Sequence, residues 1–216
     1  MSYQIVQTGE SMSFPERHAF VDNASADHGG LVYIGENAGK AFAEGQSHAQ
    51  RPFVAIELGT ECLGSHTGES RGHEGSNVVG FARFRMGSAA PSQLVELVRQ
   101  PETSAAALEA AKTAFQAVGL VVVICNDFPG RIVDRLIRPY FNAALRRLDE
   151  KLASAEDLDK TLCLGLGYPE GPIGLLERTG LTHHFRVTND LHKALGQEPY
   201  APARRALVAA QRDGIA

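Results

Sequence analysis

The fold of this chain is decided by the stretch 127–172, which opens with Asp127-Phe128-Pro129-Gly130 and closes with Gly165-Leu166-Gly167-Tyr168-Pro169-Glu170-Gly171-Pro172. The Pro-Gly and Gly-Pro pairs predict turns at both ends. Between the turns, apolar residues recur at helical spacing from Ile132 to Leu148. Ser154-Ala155-Glu156-Asp157 is typical of the start of another helix. The stretch therefore predicts an all-α domain over residues 127–216.

The preceding residues, 1–126, predict an α/β domain with a mostly parallel sheet. Residues 1–29 show no periodicity on which to predict an element. Leu120 to Cys125 is an almost continuous apolar run, typical of a parallel strand buried on both faces. Pro101-Glu102-Thr103 precedes a helix over Ser104–Val118, so that strand, helix and strand form a βα unit. Further strands are predicted over Gly30–Gly35, Arg51–Leu58, Val78–Met86 and Ser92–Arg99.

The glycine fingerprint of dinucleotide-binding domains is missing from this sequence. No Gly-x-Gly-x-x-Gly follows a predicted strand, although that turn lets the backbone approach a pyrophosphate. Gly35-Glu36-Asn37-Ala38-Gly39-Lys40 superficially resembles a phosphate loop. It has three residues between its glycines instead of four, and Ala41 follows the lysine. The sequence predicts no cofactor.

Two groups of polar residues are candidates for ligand binding. Arg83 and Arg85 alternate with apolar residues along a predicted strand, so they either meet the phosphates of a CoA-like ligand or form a solvent-exposed sheet face, which is the favoured interpretation. A glycine-rich loop carries side chains of the types that bind zinc, but their spacing matches no standard site, and no metal is predicted. These residues are Cys62, His66 and His73, with Glu61, Glu69 and Glu74 nearby.

Composition limits the class of protein. The net charge is −4, with 21 basic residues interspersed among 25 acidic ones, which gives no reason to expect nucleic acid as a partner. No apolar run approaches the roughly 18 residues of a membrane span. Three widely spaced cysteines do not suggest a disulfide framework, and the first residues lack the pattern of a signal peptide. We expect a cytoplasmic protein.

The motifs between 94 and 172, taken in order, resemble the 3-hydroxyacyl-CoA dehydrogenases, whose pattern reads roughly D-x-PGF-x-x-NR and then LG-x-GYP-x-GP. The resemblance covers about residues 78–212. It implies a Rossmann domain followed by a helical dimerisation domain, with a boundary between residues 126 and 127. It also implies oxidation of an (S)-3-hydroxyacyl-CoA by NAD, in which a His takes the proton and a Glu orients that His.

Carried over residue by residue, the family's catalytic set is incomplete. Glu96 falls on the family's Glu, but Gly80–Gly87 contains no His where the resemblance requires one. Asp134 stands at the position of the family's Asn, and an ionised carboxylate accepts hydrogen bonds without donating any. The family's Ser falls near Thr60. By this resemblance the chain is a truncated and degenerate member with a shortened Rossmann-like domain.

Three functions follow from the resemblance, and the residues leave open whether the chain is an enzyme. The first is a dehydrogenase-like protein without redox activity of its own, which binds acyl-CoA and forms a homodimer through its helical domain. The second is an active NAD-dependent dehydrogenase with Glu96, His66 or His73 as its base. The third is a non-catalytic subunit that binds a full-length dehydrogenase. The missing fingerprint and the missing His argue against the second. The sequence leaves open whether the first or the third applies, and the first is the favoured interpretation.

Overall fold

The computed structural model describes residues 2–25, 27–46, 48–68 and 76–216. The chain divides into two compact units. Unit 1 comprises Met1–Arg85 and Pro91–Ile132, and unit 2 comprises Met86–Ala90 and Val133–Ala216. Unit 1 contains a mostly parallel sheet with helices, whereas unit 2 is helical, which confirms the predicted fold class.

The sheet of unit 1 has six strands in the described residues, and their spatial order follows the sequence from β1 to β6. Neighbouring strands are parallel except for β4 and β5, which are antiparallel. The direction of the chain therefore reverses once, between Arg83 and Leu94. The strands are β1 (Tyr3–Gln7), β2 (Gly30–Ile34), β3 (Val54–Glu57), β4 (Val78–Arg83), β5 (Leu94–Arg99) and β6 (Val121–Asn126).

Helices cover both faces of this sheet. Helix α1 (Ala19–Asp22) and helix α4 (Ala105–Gln116) bury Phe20 and Phe115 in one apolar cluster, where the two rings stack at 4.5 Å. Helix α2 (Ala38–Glu44) packs in the cluster on the other face. The short helix α3 (Gly64–Thr67) follows Leu63 of that second cluster.

The connection between β1 and β2 differs in hand from the connection between β2 and β3. Both connections step in the same direction across the sheet, yet the first packs on the face of α4 and the second on the opposite face. Two parallel crossovers on opposite faces must have opposite hands, and right-handed crossovers are the rule. Among the described strands, the order also lacks the reversal at which doubly wound sheets bind dinucleotides.

The structure shows elements in one part of unit 1 that the sequence left open, and it contradicts one expectation. Residues 1–29 do form elements, because β1 pairs with β2 through Tyr3 to Gln7 and α1 supplies Phe20 to the core. Strand β6 is not buried on both faces, since it ends the sheet and its Val121 side chain is 58% exposed. An apolar run is thus compatible with an edge strand.

Unit 2 is built from five α-helices and one 3₁₀ helix, Glu198–Tyr200, in its described residues. Its core combines aromatic and aliphatic side chains of several helices, including Phe141, Leu145, Ile173, Leu176 and Leu191. The helices are α5 (Val133–Asp149), α6 (Ala155–Leu166), α7 (Pro172–Thr179), α8 (Leu181–Leu195) and α9 (Arg204–Arg212).

The Gly-Pro turn at the start of α7 allows Asp159 of α6 to contact the first turn of α7. The carboxylate of Asp159, on α6, accepts hydrogen bonds from the backbone N–H groups of Ile173 and Gly174 at 2.8 Å each. These N–H groups have no acceptor within the helix, and Pro172 has no backbone N–H that would need one. A Cβ at Gly171 would lie 2.2 Å from Asp159, so only glycine lets α6 approach. The turn therefore fixes α6 against α7.

Among the residues that the structure describes, no helix is both long enough and apolar enough to span a membrane.

Candidate functional site

The centre of the candidate site in unit 1 is a buried ion pair between Glu96, on β5, and Arg131. The guanidinium Nε of Arg131 lies 3.7 Å from Oε2 of Glu96, and the two side chains are 4% and 3% exposed. The backbone N–H of Ile132 donates to Oε1 of Glu96 at 2.8 Å. Arg131 has a φ of 50°, an uncommon backbone conformation for a non-glycine residue. The carboxylate is thus engaged by the segment that follows β6.

That segment is also tied to the loop after β3. Nη2 of Arg131 donates to the carbonyl of Gly59, and Gly130 N–H donates to the carbonyl of Thr60 at 2.9 Å. Nε and Nη1 of Arg131 are buried without a hydrogen-bond acceptor. Asp127 accepts hydrogen bonds from the N–H groups of Leu63 and Gly64, at 2.7 and 2.8 Å. The structure therefore brings Thr60 and Glu96 to the same part of unit 1.

The two cysteines near this ion pair are poor nucleophiles. Burial, followed by the charge of Glu96, raises the pKa of Cys125 to about 11. Burial and then Asp127 likewise raise the pKa of Cys62. Because the thiolate is the reactive form of cysteine, neither thiol is suited to covalent catalysis near neutral pH.

A cavity of about 320 Å³ lies at the carboxyl ends of β2 and β3. Its wall includes Lys40, Glu57, Glu61 and His66. Nε2 of His66 lies 3.4 Å from Glu61. Burial alone would raise the pKa of Glu61, but hydrogen bonds from His66 and from the backbone hold that pKa below its ordinary value.

The side chain of Arg83 is held by hydrogen bonds to the backbone of unit 1. Its Nη1 donates to the Ser13 carbonyl and its Nε to the Ser92 carbonyl, at 2.8 Å each. The guanidinium carbon lies 5.1 Å from the centre of the Phe14 ring. The residue is 7% exposed, so the solvent-exposed interpretation is wrong for Arg83, and these bonds favour a structural role over phosphate binding. Arg85 is half-buried, and phosphate contact there stays a prediction.

Asp134 lies in the first turn of α5, in unit 2. Its Oδ1 accepts a hydrogen bond from Nε of Arg138 at 2.7 Å, one helical turn later. The Arg138 side chain is 1% exposed. Asp134 is thus part of a structural ion pair, and a role in substrate contact stays a prediction.

The ion pair continues into a buried polar network that the sequence did not reveal. Nη1 of Arg138 lies 3.2 Å from Nδ1 of His184, and Nε2 of His184 lies 3.0 Å from Oδ1 of Asn142. Since a guanidinium only donates, Nδ1 of His184 accepts and Nε2 carries the proton. Asn142 in turn donates to Thr188 at 2.8 Å, and Thr188 donates to the carbonyl of Tyr200 at 2.7 Å.

Only some of the residues considered as metal ligands lie in the part of the chain that the structure describes. Within the described part of the chain, no three His, Cys, Asp or Glu side chains converge in a way that could hold a metal ion. His73, Glu69 and Glu74 lie outside the described residues. Cys62 lies in the loop before α3, and His66 lies in α3 itself.

Comparison with known proteins identifies the second half of the chain. The family described as "3-hydroxyacyl-CoA dehydrogenase, C-terminal domain" matches residues 130–215. These residues belong to the 3-hydroxyacyl-CoA dehydrogenase family. The mitochondrial hydroxyacyl-coenzyme A dehydrogenase of Sus scrofa is 38% identical over 125 residues, and its Homo sapiens counterpart is 36% identical. Each match covers 56% of this chain and 40% of the relative's length.

Solved structures support the same fold over most of the chain. The (S)-3-hydroxybutyryl-CoA dehydrogenase of Ralstonia eutropha matches 88% of this chain and 70% of its own, with a TM-score of 0.71 and 21% identity. The 3-hydroxybutyryl-CoA dehydrogenase of Escherichia coli matches 93% of this chain and 42% of its own, with a TM-score of 0.73 and 23% identity. The chain thus shares the fold of these dehydrogenases, with a Rossmann-like unit and a helical unit.

Proposed function

We propose that this 3-hydroxyacyl-CoA dehydrogenase-like protein binds an acyl-CoA of fatty-acid metabolism but transfers no hydride by itself. The observation that carries the proposal is the ion pair of Glu96 with Arg131. In the family pattern, the carboxylate at the position of Glu96 orients an imidazole that takes the proton of the substrate hydroxyl. Here that carboxylate neutralises a guanidinium, and a guanidinium stays protonated in proteins, so it cannot act as a general base.

The topology of unit 1 supports the loss of the cofactor. Dinucleotides bind to doubly wound sheets in the crevice where the order of the strands reverses. The described strands run from β1 to β6 without such a reversal. Glycine-rich turns that aim N–H groups at a pyrophosphate are also absent from the sequence. NAD would be a cofactor only if the protein were an active dehydrogenase.

The proposal is tested by adding acetoacetyl-CoA and NADH to the purified protein and following the absorbance of NADH. We expect no oxidation above the rate without protein, because neither a proton-transferring imidazole nor a dinucleotide site is in place. Calorimetric titrations should show heat of binding for acetoacetyl-CoA and none for NADH. Turnover would contradict the proposed loss of activity, and absence of CoA binding would contradict the proposed ligand.

We also propose that unit 2 forms a homodimer, since it exposes many large apolar side chains. Isolated exposed leucines are common, but a concentration of them in one unit is typical of a protein interface. Leu164 and Leu166, at the end of α6, are 78% and 65% exposed. The others are Leu136, Leu152, Tyr168, Leu207, Val208 and Ile215.

Sedimentation velocity tests the dimer. The wild-type protein should sediment with twice its 23.2 kDa chain mass. The double variant Leu164→Glu/Leu166→Glu should sediment as a monomer, because two buried charges oppose association. The matched control is Val121→Glu on β6 of unit 1, which should remain dimeric. A monomeric wild type would refute the homodimer.

A cytoplasmic location of the protein stays a prediction.

A further inference from the structure

We propose that Glu57 is a resident anion in an oxyanion-binding site of unit 1, and that removal of its carboxylate opens this site to phosphate. The inference deepens the proposed function, because it gives a physical reason why the phosphates of a dinucleotide are excluded. It concerns the loops that follow β1 and β2, where the carboxyl ends of the first three strands meet.

Glu57 is the last residue of β3 and is 7% exposed. Its Oε1 accepts hydrogen bonds from the Ser11 hydroxyl at 2.9 Å and from the Ser13 N–H at 2.7 Å. Its Oε2 accepts the N–H of Gly35 at 2.6 Å. One carboxylate thus collects three donors from two different loops.

The three donors have the character of a site for an oxyanion. Backbone N–H groups that converge from successive turns bind anions, and the carboxyl ends of parallel strands are the usual place for ligands. Gly35 has a φ of 103°, and a Cβ there would lie 2.4 Å from the carbonyl of Thr8. Glycine therefore allows the two loops to approach closely enough for their donors to meet.

The neighbouring cavity provides access to this site. Gly35 and Glu57 both line the cavity of about 320 Å³, so the carboxylate and one of its three donors lie next to a space that solutes of phosphate size can enter. A phosphate oxygen accepts the same hydrogen bonds as a carboxylate oxygen. While Glu57 is present, an incoming phosphate meets a buried negative charge and finds the donors already occupied. Two such charges at contact distance repel strongly.

A purely structural role for Glu57 would predict a different behaviour. In that case removal of the carboxylate destabilises the loops, and phosphate raises the stability of the variant no more than chloride does. In the proposed site, an oxyanion of suitable size replaces the carboxylate and stabilises the folded variant. Ligand-dependent stabilisation therefore separates the two roles.

The experiment measures the thermal unfolding midpoint against the concentration of inorganic phosphate or diphosphate, with chloride at equal ionic strength as the reference. The variants are Glu57→Ala, which vacates the site, Glu57→Asp, which keeps a carboxylate, and Glu36→Ala, which removes another carboxylate that lines the same cavity. We expect Glu57→Ala to bind phosphate or diphosphate at least about tenfold more tightly than the other proteins, from the charge-assisted bonds it can form.

Phosphate-specific stabilisation of Glu57→Ala alone supports the proposal. Equal stabilisation of the wild type or of Glu36→Ala contradicts it, and so does a Glu57→Ala protein that phosphate fails to stabilise or to refold. Because these measurements involve neither NADH nor acetoacetyl-CoA, their failure is distinguishable from detection of dehydrogenase activity in the wild type.

Discussion

Replacing Arg131 with methionine is expected to lower the free energy of unfolding of unit 1 by about 3–5 kcal/mol, the usual cost of removing one partner of a buried ion pair. Methionine keeps most of the length of the side chain, so the loss comes from the charge rather than from a cavity. Glu96, which is 3% exposed, would retain the Ile132 N–H at 2.8 Å but lose the guanidinium. The contact between Nη2 of Arg131 and the Gly59 carbonyl would be lost as well.

Urea unfolding of four proteins measures the coupling in this pair: the wild type, Arg131→Met, Glu96→Gln, and the double variant. We expect the double variant to lose less free energy of unfolding than the two single variants lose together. In the double variant, glutamine at position 96 leaves no buried negative charge that Arg131 would have to neutralise. Additive effects would show that Glu96 and Arg131 do not interact energetically. The idea that Arg131 has replaced a catalytic partner of Glu96 would then lose its physical basis.

The sequence predicted the helical unit well because its signals are local. Ser154 caps α6 by accepting a hydrogen bond from the Asp157 N–H at 3.1 Å, as the capping pattern indicates. Gly171 and Pro172 mark the start of α7, because a glycine–proline pair is a local signal for a turn followed by a helix. Turn and cap chemistry of this kind depends on neighbours in sequence, and it needs no knowledge of the tertiary structure.

The candidate site was predicted less well because its contacts are distant in sequence. Glu96 was identified from the resemblance, but its pairing with Arg131 depends on how the segment after β6 returns across β5. Glu57 was not identified at all. A single acidic residue at the end of a strand does not reveal that donors from Ser11, Ser13 and Gly35 converge on it. Pattern and spacing show which residues are present, whereas tertiary packing decides which of them meet.

The stability of unit 2 is expected to fall as the pH drops below about 6.5, the ordinary pKa of an unfolded histidine. Burial, then the positive charge of Arg138 and then His183, lower the pKa of His184 well below that value. The unfolded chain therefore binds a proton at His184 that the folded chain does not accept, so stability is complete above pH 6.5 and is lost on acidification. As the pH falls below 6.5, protonation of this group in the unfolded chain lowers the free energy of unfolding of unit 2.

Comparing His184→Gln with Thr188→Val isolates this effect from the titration of other groups. Glutamine can still accept from Arg138 or donate to Asn142, but it does not titrate, so the free energy of unfolding of this variant should depend less steeply on pH below 6.5. Thr188→Val disturbs the same network by removing a hydroxyl that bonds Asn142 and the Tyr200 carbonyl. It should lower stability at every pH by about 1–3 kcal/mol and keep the wild-type slope, since His184 is retained. If His184→Gln keeps the wild-type slope as well, the buried imidazole is not the group that makes unit 2 sensitive to acid.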